Sequence, residues 1–232
     1  FKECKMDFER VKTEEQRKMR IQQIKDAATK LFDIHDFHEI TLADIAKGTN
    51  FTRGNLYKYV SSKEEIFLLV MIDEFNKLLV ELKIKINRDF SKKTDEFSEI
   101  LAKEIEKQDR FLKLFSILYT NLEKNASEEK LIQFKEELNY CQIKFIKIIK
   151  TAFPSLEEVQ IRKFLEILSC FIIGFYPLVS PNDIQKEALK KAKIGYYPPS
   201  FKKVLREQII STLRNVIYHS GEKVSSIPYR LI

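Results

Sequence analysis

The stretch ITLADIAKGTNFTRGNLYKYVSSKEEIF, residues 40–67, decides how the rest of the chain is read. Arg53, Asn55, Tyr57, Lys58 and Tyr59 fall within seven residues of one another. That mixture is too polar for a buried helix and too aromatic for a solvated basic tail. Thr41 is placed to cap the amides of residues 43 and 44, and Asp44 suits the positive start of a helix. Leu42, Ile45 and Ala46 supply its inward face, and Gly48 with Asn50 suits a tight turn. Thr52 is the next N-cap, and TRGNLYKY (52–59) reads as a third short helix with Leu56 toward the core. Two short helices joined by a turn make a helix-turn-helix at about residues 41–60.

Reading outward, a first helix is expected from about Thr13 to Phe32, because Thr13 and Gln16 have capping-box spacing. Ile21, Ile24, Ala27, Ala28, Leu31 and Phe32 recur at helical period. FKECK, ahead of Met6, is set aside from the fold reading. The first helix stops in DIHDFHEI, where Asp36 tolerates a left-handed conformation. Ser62 and Glu65 form a second capping box. A long helix follows to about Asn87, with Ile66, Leu69, Val70, Phe75, Leu78, Leu79, Leu82 and Ile86 as its apolar set. Further helices are predicted at about 93–107, 109–124, 128–152, 156–179, 181–193 and 201–218. IGYYPPS (194–200) is a loop, since consecutive prolines remove helix donors. The tail after Ser220 and Gly221 is expected to be loosely held.

Composition agrees with an all-α chain: among 232 residues there are 5 Gly, 6 Pro and no Trp. The net charge of +7 is less informative, because residues 1–65 carry 13 Lys/Arg against 12 Asp/Glu. Local distribution says more: residues 10–30 hold seven basic and three acidic side chains, a basic helix face. Cys4, Cys141 and Cys170 are distant and odd in number, as reduced cytosolic thiols are, and two of them fall in apolar helical patterns as core candidates. His35 and His38 lack the further ligands a metal site needs, so no metal or cofactor is expected. ILSCFIIGFYPLV (167–179) is too short to span a membrane, and no signal-peptide pattern opens the chain, so a cytoplasmic location is expected.

Residues 40–67 resemble the DNA-binding segment of the TetR family of bacterial transcriptional regulators. The matching features are a Thr-capped helix ending in Ile-Ala, a turn, and a Thr-initiated helix with Leu-Tyr-x-Tyr followed by Ser-Lys-Glu. IKDAATKLFDIHDF (24–37) resembles the family's first helix, so the likeness covers about residues 13–70. Three positions depart from the family pattern: Asp36 and Asn50 stand where glycines are usual, and Phe51 where valine is. The resemblance implies an all-helical protein with a three-helix DNA-binding head at residues 1–62 and a C-terminal regulatory and dimerisation body at 63–232. It also implies a homodimer built on the helices near 156–179 and 201–218, a double-stranded DNA operator and a small-molecule effector.

The residue chemistry fits that role. Arg53 suits guanine O6 and N7, Asn55 suits adenine, and Gly54 allows close approach to the groove. Thr41, Thr52, Tyr57, Lys58, Tyr59 and Lys63 suit phosphates, sugars or a thymine methyl. Each has a plainer reading: Tyr57 as a ring packed on the head with a wet hydroxyl, Lys58 as a solvated charge. The expected function is a transcriptional regulator, a repressor released from a palindromic operator by its effector, and not an enzyme. Two alternatives stand beside it: a helical small-molecule-binding protein or enzyme without a DNA role, and a regulator answering to a protein partner. Asn121, Tyr140, Ser169 and Tyr176 are polar residues in the apolar body that suit either a pocket lining or a core cap.

Overall fold

The computed structural model describes residues 2–49, 52–193, 195 and 197–218. Those residues form α1 (Lys2–Phe32), α2 (Leu42–Lys47), α3 (Arg53–Leu56), α4 (Lys63–Lys85), α5 (Thr94–Glu106), α6 (Asp109–Ser116), α7 (Glu128–Ala152), α8 (Glu158–Val179), α9 (Asp183–Lys191) and α10 (Phe201–Tyr218), with no strand among them. A π-helical turn, Leu118–Leu122, and a 3-10 turn, Glu123–Asn125, lie between α6 and α7. The described residues pack as two units, one of Phe1–Val70 with Asn121–Leu131, the other of Met71–Thr120 with Ile132–Ile232. Both α4 and α7 therefore contribute residues to each unit.

The first unit is built on the apolar face of α1. Ile24, Ala27, Ala28 and Phe32 are buried with Phe37, Ile40, Ile45, Ala46, Leu56 and Val60. From α4, Phe67 closes this core, its ring 5.2 Å from that of Phe32 and 5.3 Å from that of Phe37. Contrary to the Thr13 start, α1 begins at Lys2. No Gly or Pro interrupts residues 2–13, so the favourable propensity of that run carries the helix through the Thr13–Gln16 pattern. Gly48 ends α2 at φ −75°, a conformation open to any residue. Its small size has a different use: a Cβ there would lie 3.1 Å from Ala27 Cβ, so glycine lets α2 approach α1. Asp36 does not use the left-handed region either, since Lys193 (φ 55°) is the described non-glycine residue found there. Its turn is closed instead by Glu39, whose amide donates to Asp36 O (3.0 Å) and whose carboxylate accepts from Asp36 N (3.2 Å). Asn50, Phe51 and the tail lie outside the described residues.

In the second unit α10 packs on α5 and α8, and α6 packs on α8. Phe97 joins Phe90 (5.9 Å) to Phe153 (4.8 Å), and Phe111 joins Phe75 to Phe115, both at 5.1 Å. The expected helix at 109–124 stops at Ser116, whose hydroxyl donates to Leu112 O (2.7 Å), a back-bond that bends helices. The wider π turn that follows keeps Leu118 and Leu122 both fully buried. Leu69, expected inward, is exposed, while Phe67, Leu68, Met71 and Ile72 of α4 are buried. Of the two cysteines expected in the core, Cys141 is buried and Cys170 is exposed. Tyr176 caps the core, donating its hydroxyl to Asp109 Oδ1 (2.7 Å), whereas Tyr140 is exposed.

Candidate nucleic-acid interface

The interface is built from caps and short turns. Thr41 accepts the Asp44 amide (3.2 Å) and donates to Asp44 Oδ2 (2.6 Å), while Lys47 Nζ lies 2.9 Å from Asp44 Oδ1. The Thr41 hydroxyl, then Lys47, holds the Asp44 carboxyl down to about 2, which keeps it charged at the start of α2. In α3, Thr52 O accepts the Leu56 amide (3.1 Å) and Thr52 Oγ1 that of Asn55 (3.3 Å). The expected helix over 52–59 is shorter than its sequence: α3 ends at Leu56, and beyond it the Lys58 amide returns to Asn55 O and the Tyr59 and Val60 amides to Leu56 O.

That geometry sorts the candidate residues by face. Leu56 and Val60 are buried and fix α3 against the core. Thr52, Gly54, Asn55, Tyr57 and Lys58 stand on the exposed side, as does Thr41. A Cβ on Gly54 would meet nothing within 4 Å, so the helix is bare at that point. The side-chain amide of Asn55 has no hydrogen-bond partner among the described residues. The side chain of Arg53 lies outside the described part of the structure. Tyr59 is half-buried and shares an open cleft with Lys58, Gln16 and Arg17. Gln16 and Arg17 come from α1; the sequence marks Gln16 only as a capping-box partner, and Arg17 only as part of the basic stretch 10–30.

Lys63, expected at a phosphate, reaches inward among the described residues. Its ammonium donates to Phe37 O (2.6 Å) and Ile40 O (2.8 Å) and lies 4.3 Å from the Phe37 ring centre. Burial lowers its pKa, as desolvation does for any cation. Ser62 caps α4 as expected, accepting the Glu65 amide (3.3 Å), but the Glu65 carboxylate reaches back to the amide of Ser61 (2.7 Å). Its other oxygen accepts from the Ser127 amide (3.1 Å) and hydroxyl (2.7 Å). Burial alone would raise this carboxyl; the hydrogen bonds from Ser127 and Ser61 outweigh it and hold Glu65 below its ordinary value.

Two short helices packed on α1 through Ile45, Ala46 and Leu56 give the head a helix-turn-helix architecture. Two family models match the chain: "Bacterial regulatory proteins, tetR family" over residues 24–70, and "Tetracyclin repressor-like, C-terminal domain" over 73–215. The chain belongs to the TetR family of transcriptional regulators.

Solved structures agree on the fold. The TetR family transcriptional regulator PfmR from Thermus thermophilus has TM-score 0.50 and 20% identity, over 83% of this chain and 97% of that one. The fatty acid degradation regulator FadR from Bacillus halodurans has TM-score 0.52 and 16% identity, over 84% and 96%. Thermus thermophilus FadR, a TetR family transcriptional repressor in complex with lauroyl-CoA, has TM-score 0.55 and 17% identity, over 90% and 99%. No curated protein matches the sequence. No single helix among the described residues is long and apolar enough to cross a membrane.

Proposed function

We propose that this protein is a cytoplasmic, homodimeric transcriptional repressor that reads a near-palindromic operator and leaves it when a small-molecule effector binds. DNA binding is assigned to residues 1–62, and effector binding and dimerisation to residues 63–232. The observation that carries the reading is the exposed, unpartnered amide of Asn55 beside bare Gly54, on a short helix whose Leu56 is fully buried. An amide held in that way suits adenine N6 and N7 in the major groove. Arg53 is assigned to guanine, and Thr41, Thr52, Tyr57, Lys58 and Tyr59 to the backbone and thymine methyl groups. Lys63 serves as an internal brace at the start of α4.

One recognition helix discriminates modestly, about 1–3 kcal/mol for each good bidentate pair, so two half-sites read by a dimer are needed. The effector acts by changing the separation of the two recognition helices, which the duplex pitch fixes. Acyl-CoA thioesters are the first effectors to try, since the Thermus FadR structure holds lauroyl-CoA.

Selection from a random duplex pool, followed by gel shift at moderate salt, tests the reading. The expected product is a palindromic site, with Asn55→Ala weakening binding by about 1–3 kcal/mol and relaxing preference at one position per half-site. A pool that shows no enriched sequence sinks the DNA-reading role and leaves a helical small-molecule-binding protein.

A further inference from the structure

The cleft between α1 and the residues that follow α3 is lined by Gln16, Arg17, Lys58 and Tyr59, with two cations and no carboxylate in its wall. Neither the Arg17 guanidinium nor the Lys58 ammonium has an ion-pair or hydrogen-bond partner among the described residues. Some other exposed cations of this chain are paired, and it is the shared cleft, rather than the lack of a partner, that sets these two apart. Lys47 pairs with Asp44, Lys186 with Asp183, Lys113 with Asp109 and Arg162 with Glu158, each on its own helix. Arg17 has Glu14 three residues before it, the spacing that Lys47 and Asp44 use, yet it makes no such pair.

Two like charges that line one open cleft repel each other, and an anion between them converts that repulsion into attraction. Gln16 adds a neutral donor to the same wall, and the half-buried Tyr59 gives it a fixed surface. Lys58 follows Asn55 by three residues, so an anion held here flanks the base edge that Asn55 would read.

We infer that Arg17 and Lys58 form a clamp for a single DNA backbone phosphate, so that α1 takes part in operator binding with the helix-turn-helix. This rests on the proposed DNA-reading role and extends it to a helix outside the motif. The clamp positions the protein on the duplex and carries no sequence information, because every nucleotide offers the same phosphate.

The test uses the full chain and the duplex that it selects from a random pool. Affinity is measured against salt concentration for wild type, Arg17→Gln, Arg17→Lys, Lys58→Gln and Lys18→Gln. Lys18 is an exposed neighbour on α1 that does not line the cleft. Loss of one phosphate contact makes the slope of log K against log salt shallower by about 1 per protomer. The expected result is that step for Arg17→Gln and for Lys58→Gln, with affinity lowered uniformly across sequences and the selected site unchanged. Arg17→Lys keeps the wild-type slope, and so does Lys18→Gln. Circular dichroism matching wild type shows that the exposed substitutions leave the helices intact. If Arg17→Gln has the wild-type slope, or Lys18→Gln changes it equally, the clamp is wrong while the DNA-reading role stands. If wild type selects no duplex, both are wrong.

Discussion

At the scale of single residues, the head depends on a cation that faces inward. Lys63 spans from the start of α4 to two carbonyls, Phe37 O and Ile40 O, that precede α2. Hydrogen bonds from charged donors contribute more than neutral ones, and removing this one leaves two carbonyls short of a donor. Lys63→Gln is expected to lower unfolding free energy by about 1–2 kcal/mol, read from urea denaturation. Because the residue acts from inside, DNA affinity should fall while its salt slope holds at the wild-type value. A slope made shallower by about 1 per protomer would return Lys63 to the phosphate contacts. Sequence placed this residue at a helix start and did not foresee its carbonyl partners. The acceptors are backbone atoms 26 and 23 residues away, and no pattern in the side chains announces them. Leu56 and Thr52 were legible for the opposite reason: a cap and its core-facing residue lie within one turn of each other.

At the scale of elements, the start of α4 is fixed by Glu65, which is 2% exposed and accepts from Ser61 and Ser127. The folded state holds this carboxyl below its ordinary value of 4.5, so its stabilisation is fully present above that pH. It is lost as pH falls through the lowered value, when protonation replaces an acceptor by a donor. Glu65→Gln is expected to cost about 1–3 kcal/mol at pH 7, with the gap to wild type narrowing below pH 4.5 in urea titrations. A gap that stays constant to pH 3 would mean that the charge contributes nothing. The Ser62–Glu65 spacing announced a cap, but the Ser127 half of the arrangement lies 62 residues away and was invisible. The early start of α1 was missed by a related limit. A capping box marks where a helix is able to begin, and the favourable residues ahead of Thr13 carry it further.

At the scale of the molecule, α8 of the second unit carries apolar groups on its outside as well as in the core. Its buried face is Ile161, Phe164, Leu168, Ile172 and Tyr176, yet Val159 and Leu178 near its ends are 52% and 66% exposed. Apolar groups left outside at both ends of one helix suit the proposed pairing of two copies through α8 and α10. The double variant Val159→Glu/Leu178→Glu is expected to sediment as a monomer with its helix content intact, and to lose most of its operator affinity. Wild-type protein that sediments as a monomer at micromolar concentration would count against the dimer.

The buried carboxylates have a consequence for how α4 is able to move. Glu65, Glu74 and Glu104 are buried, and each is fastened to α4 or belongs to it. Glu65 takes Ser127, Glu74 takes Lys77 and Arg110, and Glu104 of α5 takes Lys85 and Lys107. Greasy contacts allow a helix to slip by fractions of an ångström, because one methyl replaces another. A buried carboxylate held by fixed donors is less forgiving, because a small slip takes its acceptor atoms out of hydrogen-bond reach. The rod is therefore detented rather than elastic, and any displacement of it proceeds by releasing a whole fastening at a time.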